Sequence, residues 1–122
     1  MAMTNLGLTE VKKMAMFRNT MGIYEISFVH TVQCVCAIGK SLCTYNFEVE
    51  MVPGEVIPDY LDVQDFMDNE IHMHFLTMED ATAALADYLA EVYNPVSGSV
   101  ACICCDAKHF TVRVSKSFGG NQ

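Results

Sequence analysis

The clearest helix of this chain is written in TMEDATAALADYLAEVYNP, Thr77 to Pro95. Thr77 with Asp80 three residues on resembles a capping box, in which a hydroxyl and a carboxylate satisfy N–H groups that have no partner inside the helix. Ala81, Ala84, Leu85, Tyr88, Leu89 and Val92 follow the 3.6-residue period and predict one apolar face. Asn94-Pro95 stops the helix, because proline can neither donate to the preceding turn nor fit beside it.

Upstream of this helix, Asp59-Tyr60-Leu61-Asp62 reads as a cap leading into a second helix, with Val63, Phe66, Met67 and Ile71 inward and an end between Asn69 and His72. Further upstream, alternation takes over. Tyr24, Ile26, Phe28, His30, Val32, Cys34 and Cys36 share one strand face, and after Gly39-Lys40 so do Cys43, Tyr45, Phe47, Val49 and Met51. A two-residue turn at Gly39-Lys40 predicts a hairpin pairing Cys36 with Cys43, Cys34 with Tyr45 and Val32 with Phe47. Downstream, Ser99–Cys105 and Phe110–Ser117 are β-like runs, with Cys102, Cys104 and Cys105 as strand core. Leu8, Val11, Met14, Met16 and Phe17 suit a short amphipathic helix. The expected organisation is an N-terminal extension over 1–22, one domain over 23–117 and a frayed tail over 118–122, with the order strand, strand, helix, helix, strand, strand.

The charge is uneven. The 122 residues carry 15 Asp and Glu against 7 Lys and Arg, a net charge of −8, and the stretch between Lys40 and Lys108 contains no base. Nucleic acid and anionic membranes are therefore excluded as expected partners, since both are gripped through Lys and Arg. The 52% apolar content predicts a packed core. No window approaches the ~20 apolar residues of a membrane span and no secretory signal opens the chain, so a cytoplasmic location with all six cysteines as thiols is expected.

The element order is that of the tunnelling fold, or T-fold, an α+β architecture of a four-stranded antiparallel sheet with two helices on one face that assembles into oligomeric barrels. Residues sharpen the likeness. Glu79-Asp80-Ala81-Thr82-Ala83-Ala84-Leu85-Ala86-Asp87-Tyr88-Leu89-Ala90-Glu91, closed by Asn94-Pro95, resembles the GTP cyclohydrolase I run E-R-L-T-x-Q-I-A-x-A-L. Asp106-Ala107-Lys108-His109 stands where that family has E-A-E-H, and Met78-Glu79-Asp80 where 7-cyano-7-deazaguanine (nitrile) reductases have H-E-D. Cys36 precedes Pro53 by seventeen residues, the spacing of the functional cysteine in both families. The resemblance, more distant to 6-pyruvoyl tetrahydropterin synthase, implies a small-molecule heterocycle as partner: a guanine-like or pterin-like ring anchored by Glu79, with Cys36 as nucleophile, His109 as acid–base group, and a homo-oligomer whose sites form between subunits.

The departures are as specific. Where the cyclohydrolase holds zinc with C-E-H-H and a later Cys, this chain reads Cys36-Ala37-Ile38-Gly39 and Thr111. Cys43 takes the place of the reductase's Asp, the reductase's nicotinamide-binding Lys motif is absent from Asp59–Phe66, and the synthase's H-x-H reads Cys43-Thr44-Tyr45. No metal ligand and no cofactor is assigned from these motifs, and the alternative is a catalytically inactive T-fold protein acting as a binding or structural oligomer. Read for their own chemistry, Glu79 is either a ring anchor or a helix-start acid favoured by the dipole, and Cys36 either a nucleophile or a small core hydrophobe. His109 is either a proton carrier or a solvated turn residue. His72 and His74 suit a loop, and His30 a core or interface position. Cys34, Cys36 and Cys43 converge at the hairpin end, where a soft metal or plain packing would suit them.

Overall fold

The structure, a computed structural model, describes residues 18–36, 40–106 and 111–119. Four strands, β1 (Ile26–Val35), β2 (Leu42–Val52), β3 (Ser97–Cys104) and β4 (Val112–Gly119), form one antiparallel sheet in the order β1-β2-β3-β4. Helices α1 (Tyr60–Glu70) and α2 (Met78–Tyr93) lie between β2 and β3 in sequence and cover one face of the sheet, α1 against β1 and α2 against β3 and β4. The ββααββ order and the α+β class are those expected from the sequence.

The inner face is apolar because the strands alternate: Ile26, Val32 and Cys34 of β1 and Tyr45, Phe47, Val49 and Met51 of β2 are buried, while Ser27, Thr31, Gln33, Glu48 and Glu50 between them are exposed. Helix caps form as read. Asp59 accepts from the Leu61 N–H at 3.1 Å, and Thr77 Oγ1 from the Asp80 N–H at 3.0 Å. Asn94 ends α2 in the left-handed conformation at φ 43°, which suits Asn better than most side chains. Val63 and Met67 bury beneath α1, and Phe66 stacks on Tyr88 of α2 with ring centroids 4.0 Å apart. Each large buried apolar side chain contributes about 1.5–3 kcal/mol relative to exposure, so this single layer between sheet and helices carries the stability.

Several details differ from the sequence reading. The hairpin register pairs Cys34 with Cys43 and Val32 with Tyr45, two residues displaced from the expected pairing. The connection is longer than two residues: the Cys36 N–H donates to Ser41 O at 2.8 Å, the Lys40 N–H to Cys36 O at 2.7 Å, and Lys40 is left-handed at φ 57°. A two-residue type I′ turn at Gly39-Lys40 would start β2 directly after Lys40, whereas β1 ends at Val35 and β2 begins at Leu42. Because the displacement is even, every inward residue stays inward. On α2 the buried stripe runs Ala81, Leu85, Leu89, Tyr93, leaving Val92 46% exposed instead of packed. Cys105 is exposed rather than core, since it lies one residue past the end of β3. Strand β4 runs on to Gly119, so Phe118 is a buried strand residue and not part of a frayed tail. Its ring packs where a Cβ on Gly98 would stand, 2.5 Å away, so only glycine fits opposite it. The N-terminal apolar pattern over Leu8–Phe17 lies outside the described residues; Arg18 and Asn19 bridge to Val56 and Glu55 beside the end of β2.

Candidate functional site

The hairpin end of the sheet meets the start of α2, and a cavity of about 400 Å³ opens between them. Cys36, Ser41, Leu42, Cys43 and Tyr45 come from the β1–β2 hairpin, Thr77, Met78 and Glu79 from the helix start, and Cys104 and Asp106 from the end of β3. Cys36 and Glu79, singled out separately in the sequence, thus line one cavity of one chain.

Local structure sets each wall. Thr77 caps α2, so the helix begins at Met78 and Glu79 stands, exposed, in its first turn, where the helix dipole favours a carboxylate. The Tyr45 hydroxyl donates to Leu76 O at 2.9 Å and ties the second strand to the segment before that cap. Burial pushes the Tyr45 hydroxyl's pKa upward, so it stays protonated and serves as a fixed donor. On the other wall the β2–β3 register pairs Phe47 with Cys102 and Asn46 with Ile103. Continued outward, that register sets Asp106 across from Cys43, and the Thr44 N–H donates to Asp106 Oδ2 at 2.5 Å. As a result Cys43 Sγ, Cys104 Sγ and an Asp106 oxygen all lie within 4.8 Å of one another.

The sulfurs therefore divide differently from the expected Cys34, Cys36 and Cys43 cluster. Cys34 is 0% exposed, donates to Ile71 O at 3.1 Å, and its thiol is raised to about 11 by burial and then by the neighbouring Cys43. Cys102, beneath α2, is raised to about 12, chiefly by burial and against a hydrogen bond with Thr82. Both are inert protonated core thiols. Cys43 is also raised, by burial first, but it faces the cavity.

Among the described residues the lining contains two carboxylates and no Lys or Arg. Arg113, the nearest strand base, pairs with Glu48 at 3.3 Å, two residues whose neighbours Val112 and Val49 face inward. The three described histidines lie elsewhere. His30 bonds Asp68 of α1 at 3.2 Å; His72 Nδ1 accepts from the Gln33 N–H at 3.1 Å, and His74 Nε2 lies 2.8 Å from Asn69 O, both in the loop that covers the end of β1. His109 lies outside the described residues.

No protein-family model matches the chain, and no curated protein does. A solved structure, that of the archaeosine synthase QueF-like in the apo form, aligns with a TM-score of 0.74 over 82% of this chain and 98% of that chain, at 17% identity. The chain has the T-fold. On the T-fold the two positions carried over by resemblance, Cys36 at the end of the first strand and Glu79 at the start of the second helix, are neighbours across a cavity although 42 residues separate them in sequence. Asp106, which the sequence offered only as the first residue of the segment resembling E-A-E-H, proves to be a wall of the same cavity. Cys104, read as core, is 7% exposed and contributes its sulfur there. The signal that could have found both is the β2–β3 register, which a single sequence does not reveal. Among the described residues no helix is long and apolar enough to cross a membrane.

Proposed function

We propose that this T-fold protein binds an uncharged guanine-like or pterin-like ring in the cavity between Cys36 and Glu79. The convergence of those two side chains on one cavity carries the reading. A carboxylate accepts two parallel N–H bonds from the amidine edge of such a ring, and Glu79 stands in the first turn of α2, where the helix dipole favours an acid. The cavity falls within the ~300–1,000 Å³ of small-molecule sites, and the lack of Lys or Arg among its described lining residues argues against a polyphosphate tail. A protein of the same fold bears the name archaeosine synthase, archaeosine being a modified nucleoside, which supports a ring-recognising site on this scaffold.

Cys36 is the proposed nucleophile: its thiolate would add to the carbon of a carbon–nitrogen multiple bond of the bound ring or its substituent, the π pair moving to the nitrogen, which takes a proton. His109 keeps its proposed acid–base role through the resemblance alone. The outer edge of β4, and that of β1 ahead of the stretch paired with the 72–75 loop, suit closure of the sheet into a homo-oligomeric barrel, which would complete the open side of the cavity.

Thermal-shift measurements with guanine, pterin and deazaguanine compounds test the reading. Stabilisation of the wild-type chain by at least one ring, lost in Glu79→Ala, is the expected outcome; no stabilisation by any of them overturns it. Ring binding that leaves Cys36 unprotected from alkylation would favour the inactive binder, the reading to which the missing zinc-ligand and Asp positions point.

A further inference from the structure

We propose that Cys43, Cys104 and Asp106 form a binding site for a borderline-soft divalent cation of the zinc class. The three residues come from the start of β2, the end of β3 and the position two beyond it, and the sheet register brings their ligand atoms within 4.8 Å of one another. Around zinc, thiolates sit at ~2.3 Å and carboxylate oxygens at ~2.0–2.2 Å, so tetrahedral ligand atoms stand roughly 3.5–3.8 Å apart. Side-chain rotations closing up to about an ångström would bring the three into that geometry.

The surroundings favour a cation there. Asp106 is oriented by the Thr44 N–H on Oδ2, the kind of outer hydrogen bond that fixes a ligating carboxylate and leaves its second oxygen directed elsewhere. Among the described residues no Lys or Arg lines the cavity. Two sulfurs with one oxygen select zinc, cobalt or cadmium over magnesium or calcium. Three protein ligands leave a fourth position open, and all three residues line the cavity that also holds Cys36 and Glu79. Binding deprotonates both thiols, so each M²⁺ taken up releases two protons to solvent.

The site stands on its own geometry and does not depend on the ring-binding reading. Titration of the reduced, chelator-stripped full chain with Co²⁺ tests it directly. The expected result is one equivalent bound with a thiolate-to-cobalt charge-transfer band, displaced by Zn²⁺, with about two protons released per metal. Cys43→Ser and Cys104→Ser should each weaken binding at least ~100-fold, and Asp106→Asn about 10-fold, within the range for loss of a supporting or ligating group. Asp106 is exposed, so its variant probes the site without disturbing the core. Glu79→Ala, Cys36→Ser and Cys105→Ser should keep the full equivalent, which separates this site from the proposed ring site and from the exposed thiol. Absence of the charge-transfer band in the wild-type chain, or a band of wild-type intensity and cobalt affinity in folded Cys43→Ser or Cys104→Ser, overturns the proposal.

Discussion

Cys34 and Cys43 face each other across the β1–β2 ladder, and Cys102 and Cys104 follow one another on the inner face of β3, yet each pair is split between two environments. Cys34 and Cys102 lie in the core, one bonded to Ile71 O and the other beneath α2 beside Thr82. Cys43 and Cys104 stand where the helices stop covering the sheet and the cavity begins. The difference teaches that the two helices, rather than residue type, divide this sheet into a sealed half that stabilises and an open half available for chemistry.

Alkylation is the sharpest way to test that division. In a Cys105→Ser background, iodoacetamide with mass-spectrometric mapping should modify Cys36 at least ~10³-fold faster than Cys34 or Cys102, because the latter react only through opening of the core. Comparable rates at all three would erase the distinction. Truncation gives the next largest contrast: Phe47→Ala, in the sealed half, should cost about 3–5 kcal/mol in urea unfolding, and Cys36→Ala, at the open end, less than about 1 kcal/mol.

Alkaline pH should act more strongly on the sealed half than on Cys43 at the cavity, whose thiol is also raised by burial. Burial raises the thiols of Cys34 and Cys102 from 9.0 to about 11 and about 12, so the folded chain holds the neutral form where the unfolded chain would ionise. Their contribution is complete below pH 9 and is lost as pH climbs through 11 and 12, so stability should fall over that interval. Cys34→Ala or Cys102→Ala should flatten the fall whatever it does to stability at pH 7. The smallest effect belongs to the junction of the two halves: Thr77→Ala should cost about 1 kcal/mol through loss of the cap to the Asp80 N–H, with Thr77→Ser close to neutral.

Much of the sealed half was legible in the sequence, because it obeys local rules. Period-2 alternation gave the faces of β1 and β2, and the caps at Asp59 and Thr77 set the helix starts. The buried stripe of α2 was legible in part: Ala81, Leu85 and Leu89 are buried as read, but Thr82, Ala86 and Tyr93 are buried too, Ala84 and Tyr88 are half-buried and Val92 is exposed. The open half depends on register, to which alternation is blind when strands slip by two. Hence the hairpin pairing was misplaced, Cys36 was set opposite Cys43, and the approach of Asp106 and Cys104 to Cys43 went unseen. Glu79 and Cys36 were singled out through the resemblance to T-fold families, since neither has a local pattern that distinguishes it from a helix-start acid or a strand cysteine.

The central claim is that the open half holds a neutral heterocycle on Glu79, and isothermal titration with guanine and pterin tests it most directly. Wild-type chain and Asp106→Asn should bind the preferred ring with affinities within a few-fold of each other, while Glu79→Gln, which can no longer accept two N–H bonds, should bind at least ~10-fold more weakly. Equal affinity in Glu79→Gln and wild type, or no heat with either ring at millimolar concentration, would contradict the account.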